Sequence, residues 1–303
     1  MRAATVASVL VAIVLVVAKT WAWRETDSVS VLSSLADSFL DILASLLTFW
    51  AVRFSLSPAD FEHRFGHGKS EGLAALLQSV IVTISALFVA NTAVRRLIAP
   101  TPVEEPAAGI AVIVASTVVT LMLLAFQRHV SRETGSVAIA ADALHYKSDL
   151  LLNLSVVGAV AISAYTGRSW VDPALGLAVA AYLVWGARGI AFHALDILLD
   201  REIPDADRQR IQEIACRHPK VLGFHDLRTR HGGGGYIIQF HLELDAATPL
   251  VETHRILDEV ESWIEAAFPA CEIIIHPDPQ GFEERRDEFG DAVEVLTPGI
   301  DGN

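Results

Sequence analysis

Cysteine is nearly absent. The 303-residue chain holds two, Cys216 and Cys271, far apart and with no CxxC pairing. That gives no basis for a disulfide framework or a thiolate metal knot, and it fits free thiols in a reducing compartment. Charge is also sparse, at 19%, and positive charge most of all: 23 Lys and Arg face 36 Asp and Glu, for a formal net charge of −13. So acidic a chain is a poor partner for nucleic acid and a good one for cations. No HExxH motif is present, and no internal repeat. The apolar start, Ala3 to Ala18 after Met1-Arg2, is followed by no small-residue cleavage site and no polar mature start, which favours a retained first span over a signal peptide.

Apolar residues, in contrast, are abundant: 52% of the chain is hydrophobic. They fall into six runs, roughly 3–23, 30–55, 71–98, 107–127, 137–165 and 171–192. Each is long enough to cross about 30 Å of hydrocarbon at 1.5 Å per residue. Six spans put both termini on one side. Arg53, Arg64, Lys69, Arg128 and Arg132 then lie on the terminal side, flanked by Arg2 and Arg201, with Arg24, Arg95, Arg96 and Arg168 opposite. The positive-inside tendency places the termini in the cytoplasm. The stretch from Pro100 to Pro106 reads as a short outer turn.

From Ile203 the composition changes. Pro204 can open a helix to about His218. Val221 to Arg230 reads as a strand, then His231-Gly232-Gly233-Gly234-Gly235 as a turn. Tyr236 to Asp245 alternates apolar and polar residues as a half-buried strand does. Pro249 to Phe268 carries one apolar face of Ile256, Leu257, Val260, Trp263 and Ile264, and Cys271 to His276 is a third strand. The order αββαβ predicts a small two-layer α+β domain. The expected division is a six-helix transmembrane domain over 1–200, an αββαβ domain over 201–282, and an acidic, disordered tail over 283–303 with seven acids against two Arg.

Two short stretches stand out inside the apolar runs. Asp37-Ser38-Phe39-Leu40-Asp41 and His145-Tyr146-Lys147-Ser148-Asp149 each place two metal-capable side chains four residues apart. On a helix both share one face, about 6 Å apart at Cβ. A carboxylate at mid-bilayer costs at least about 2.5 kcal/mol, so a purely structural cluster is a poor explanation. Three carboxylates and one imidazole suit a small divalent cation, and the second and fifth spans run antiparallel with these groups at comparable depth. Asp142, one turn before His145, either supports the ligands or stands as a charge at an entrance. Asn153 and Ser34 fit interhelical hydrogen bonds.

Two further constellations stay open on residue chemistry alone. Asp60, His63 and His67 follow the second span at i, i+3 and i+7. They share a face if the loop is helical, whereas Gly66 and Gly68 argue for a turn, and ordinary solvated histidines explain them as well. Six of the eleven histidines lie after Ile203. His225 and His241 fall on adjacent strands, His276 and Asp278 leave the third, and His254 begins the second helix. Each alone is an ordinary surface group; five together in an acidic domain favour metal, with Asp278 the natural bridge between two ions.

The DxxxD and HxxxD pairs, Arg64-Phe65-Gly66-His67-Gly68-Lys69-Ser70-Glu71 and His225-Asp226-Leu227-Arg228-Thr229-Arg230 resemble the cation diffusion facilitator family, in its bacterial zinc and iron efflux branch. The resemblance covers about 3–280. It implies a homodimer with six spans per subunit, a cytoplasmic metallochaperone-like αββαβ domain, and export of divalent metal against proton entry. It also implies a transport site of Asp37, Asp41, His145 and Asp149, and a loop site of Asp60, His63 and His67. A two-metal cytoplasmic site would use His225, His241, His254, His276 and Asp278, and Lys69 and Asp200 would contact across the dimer. The expected setting is the bilayer of a bacterial inner membrane. A ligand set without thiolate suits Zn²⁺, Cd²⁺, Fe²⁺ or Mn²⁺ rather than Cu⁺, with zinc first. The rival reading is an intramembrane metal-dependent enzyme.

Overall fold

A computed structural model describes residues 1–26, 29–99, 107–166, 170–232, 235–269 and 271–281. The chain divides into two compact units, Met1–Ala59 with His67–Leu198, and Asp60–Gly66 with Leu199–Asn303. The expected outer turn at Pro100 to Pro106, the acidic tail and part of the Gly-rich turn lie outside the described residues.

The first unit is built from six long helices: α1 (Arg2–Thr26), α2 (Val29–Ser55), α3 (Lys69–Ile98), α4 (Ala107–Thr134), α5 (Val137–Thr166) and α6 (Val171–Leu198). Among the described residues, α1, α2 from Asp37, α3 and α6 are long and apolar enough to cross a membrane. In α5 the first half carries Asp142, Lys147 and Asp149, which dilutes its apolar character. Lipid supplies no hydrophobic force between such helices, so contact depends on small residues and hydrogen bonds. A Cβ on Gly72 of α3 would sit 3.3 Å from Ala194 O and Ile197 Cγ2 of α6, so a larger residue there would press on the close approach of the two helices. Polar side chains tie the other helices. Gln78 Nε2 donates to Ala44 O and to Thr48 Oγ1, both at 3.0 Å. Ser45 and Tyr146 share a bond at 2.8 Å, and Tyr146 Oη donates to Ser8 O at 3.1 Å. Glu71 of the Arg64–Glu71 motif is buried and accepts from Ser55 at 3.1 Å and Ser136 at 2.6 Å, joining the ends of three helices.

The second unit follows the expected order: α7 (Asp205–Ala215), β1 (Gly223–His231), β2 (Tyr236–Leu244), α8 (Leu250–Ala267) and β3 (Glu272–Pro279). The sheet order is β1-β2-β3, antiparallel between β1 and β2 and parallel between β2 and β3. The alternation in β2 sets its faces. Ile238, Phe240, Leu242 and Leu244 are buried against Ile211, Ile214, Ile256, Val260 and Ile264 of the two helices. Gln239, His241 and Glu243 therefore face the side the helices leave open.

Candidate metal centres

In the membrane unit, α2 and α5 bring together Asp41, His145 and Asp149, whose ligand atoms all lie within 4.8 Å of one another. His145 Nε2 is 3.0 Å from Asp41 Oδ1, with both residues buried. The Nδ1 atom of His145 is buried and meets no hydrogen-bond partner among the described residues. Ser148 donates to His145 O at 2.6 Å and leans on Asp149 Oδ1 at 3.4 Å. Asp37, one turn before Asp41 on α2, is exposed and falls outside this group of three.

Asp142 is not at an entrance. It is 1% exposed, and Gln127 of α4 donates to its Oδ2 at 2.7 Å and to Ser8 Oγ at 2.9 Å. It belongs to a hydrogen-bond network drawn from α1, α4 and α5, one helical turn before His145. The side chain of Ser34 lies outside the described residues.

The loop after α2 is a turn rather than a helix. Asp60 Oδ1 accepts the backbone N–H of His63 at 2.6 Å and of Glu62 at 2.9 Å, and meets His63 Nδ1 at 3.2 Å. Those N–H groups, His63 first, hold the Asp60 carboxyl below the usual carboxylate range. Gly66 takes φ 77°, which a side chain rarely tolerates. His67 belongs to the membrane unit, where it is buried with its ring 4.3 Å from that of Phe54.

In the second unit the sheet register does the gathering. His225 pairs with His241 across β1 and β2, and His241 with His276 across β2 and β3. Three imidazoles therefore stand side by side on the open face, with ring centroids 5.1 and 4.7 Å apart. Asp278, two residues beyond His276, points to the same face. Its Oδ2 lies 2.9 Å from His241 Nδ1 and 3.3 Å from His225 Nε2, and its Oδ1 lies 3.1 Å from His276 Nε2. Both carboxylate oxygens thus face histidine nitrogens, as a bridge between two ions requires.

His254 does not join them within the chain. It is exposed on α8, which covers the opposite face of the sheet, and its partner at 3.6 Å is Asp258. The expected convergence of five groups is a convergence of four.

Asp226 takes a place that residue-type reasoning passed over. The β1 register breaks between His225 and Arg228, and Asp226 adopts φ 51° there. The irregularity turns its Oδ2 to within 3.4 Å of His225 Nδ1, and Asp226 forms a ligand-capable group with His225 and His241. Its signal was present as the neighbour of His225; the bulge that aims it was not. Lys19 was also missed, although a lone charge in an apolar run marks it. Its Nζ donates to Ser38 Oγ of α2 at 2.6 Å.

Residues 5–199 match the cation efflux transmembrane domain, and 203–280 the cytoplasmic domain of cation efflux proteins. The chain belongs to the cation diffusion facilitator family. It is 46% identical over 276 residues to the cation-efflux pump FieF of Cronobacter sakazakii, covering 91% of this chain and 92% of that one. It is 45% identical, with the same coverage, to FieF of Salmonella arizonae and of Salmonella choleraesuis. A solved structure of CzrB is 34% identical, covering 26% of this chain and 99% of its own, at a TM-score of 0.25. The chain is therefore a polytopic membrane transporter that exports divalent metal cations, with a C-terminal α+β domain, and not an enzyme. The intramembrane-enzyme alternative falls with that membership.

Proposed function

We propose that the protein is a zinc–proton antiporter that works by alternating access of the site formed by Asp37, Asp41, His145 and Asp149. The observation that carries this reading is the 3.0 Å contact between His145 Nε2 and Asp41 Oδ1. A nitrogen and a carboxylate oxygen that close need a proton between them. A metal ion takes both atoms only as lone-pair donors, so loading expels that proton, and a proton returning from the far side displaces the ion. Asp149 completes the described group, and Asp37 joins by a turn or shift of α2 as the ion arrives. The donor set of carboxylates and one imidazole suits zinc, with Cd²⁺, Fe²⁺ and Mn²⁺ as alternatives. The setting is a bacterial inner membrane with both termini cytoplasmic.

In the C-terminal domain His225, His241, His276 and Asp278 would hold two ions, with Asp226 as a further carboxylate. His254 contributes only if it comes from the second copy of a homodimer. Asp60, His63 and His67 form a separate loop site, and Lys69 and Asp200 fix the register of the dimer. Flux into proteoliposomes that report zinc inside and pH outside tests the coupling. Zinc entry that moves no protons under any gradient would leave a uniporter in its place.

A further inference from the structure

Lys19 sits seven residues before the end of α1, about 10 Å along the helix axis, and is half-buried. At that depth a lysine commonly extends its stem toward the nearer interface. This one turns inward instead. Its ammonium donates at 2.6 Å to Ser38, a hydroxyl with no exposure at all, which lies between Asp37 and Asp41 on α2. It also lies within electrostatic reach of Asp41, Asp149 and Asp37. These are the three carboxylates of the proposed transport site.

We propose that Lys19 is the fixed counter-charge of the transport site, an inference that rests on the reading of that site given above. Three carboxylates hold three negative charges, and a divalent ion cancels two. One is left over, and an uncompensated charge in a low-dielectric interior is costly. The Lys19 ammonium cancels it, so the site loaded with a divalent ion is neutral while the helices change access. The same ammonium repels the incoming cation, which keeps binding loose enough for release. A monovalent or a trivalent ion in the same site leaves one uncancelled charge, so Lys19 also sets the valence that is carried.

The test is zinc flux in proteoliposomes of the full chain with Lys19→Met, Lys19→Arg and Asp41→Ala. Removing one unit of charge near the ion should lower KM for zinc about tenfold in Lys19→Met and slow turnover by a similar factor. Lys19→Arg keeps the charge and should stay within about threefold of the parent in both constants. A KM that is unchanged or raised in Lys19→Met overturns the proposal, because a lysine that only packs the helices weakens binding or leaves it alone. So does Lys19→Arg behaving like Lys19→Met, and this arm decides the matter if Lys19→Met fails to assemble. Asp41→Ala separates the two levels. If it is dead while Lys19→Met keeps its KM, only the counter-charge is wrong. If it transports normally, the site reading falls and the counter-charge with it.

Discussion

The two candidate metal centres offer similar donors on opposite kinds of scaffold. In the membrane unit Asp41, His145 and Asp149 come from two helices joined by polar contacts such as the Ser45–Tyr146 hydrogen bond. In the second unit His225, His241, His276 and Asp278 come from three strands of one sheet, locked by cross-strand register and backed by a continuous apolar core. Helices can tilt or turn against each other and carry their ligands along; a hydrogen-bonded ladder holds its residues at a fixed spacing. The first arrangement suits an ion that must leave. The second suits ions that stay, and exposed Asp37, outside its group, against Asp278, in contact with three histidines, marks the same contrast.

The sharpest way to break the comparison is to remove one ligand from each centre. Asp41→Ala or Asp149→Ala should cut zinc flux in sealed vesicles at least about a hundredfold, with the dimer still assembling. Normal flux in either variant would take the transport role away from this site. Asp278→Ala should act differently. It removes oxygens that face three histidines, so metal analysis of the purified chain should show two fewer ions, while flux falls but persists. A flux as dead as that of Asp41→Ala would mean the second centre is part of the pathway rather than a resident site.

Much of this was legible in the sequence, and the limits have physical causes. The αββαβ order followed from alternation in Tyr236–Leu244 and from the apolar stripe of α8, because periods of 2.0 and 3.6 report buried faces directly. The same alternation placed His241 opposite Phe240, which is why the histidine face was readable. The side of the sheet taken by α8 was not, and it is what separates His254 from the others. The DxxxD and HxxxD spacings marked the residues of the proposed transport site, of which Asp41, His145 and Asp149 come together. Spacing along a helix is silent, however, about which turns of a shared face the neighbouring helices cover, and here Asp41 is buried while Asp37, one turn earlier, is exposed. The entrance alternative for Asp142 failed because its partner, Gln127, lies 15 residues away on another helix.

A smaller effect is expected at Asp226, where the open face of the sheet depends on one residue in a left-handed conformation. Asn tolerates that conformation and Val does not. Asp226→Val should therefore lower the stability of the C-terminal domain by about 1–3 kcal/mol, read as a lower melting temperature without metal. Asp226→Asn should melt close to the parent without metal and gain less from added zinc, since it keeps the backbone and loses the charge. Equal gains from zinc in Asp226→Asn and the parent would remove Asp226 from the metal centre and leave it a turn residue.

The smallest effect belongs to the proposed dimer contact between Lys69 and Asp200. Lys69 is exposed at the start of α3, where its Nζ lies 3.4 Å from Leu198 O. Asp200 takes φ 56° just after α6 and meets Arg230 at 3.3 Å. Each side chain thus already has company within its own unit, and a pair formed across the dimer must compete with it. An exposed ion pair is worth about 0–1 kcal/mol, and salt screens it. Lys69→Asp should therefore weaken the dimer by no more than about fivefold in Kd at low salt, and the difference should vanish at high salt. Its effect on flux should be larger than its effect on affinity, because a register pair aligns the two copies rather than holding them. Cross-linking yield measured beside zinc flux separates the two. If both are unchanged in Lys69→Asp at low salt, Lys69 is ordinary surface charge and the dimer takes its register from elsewhere.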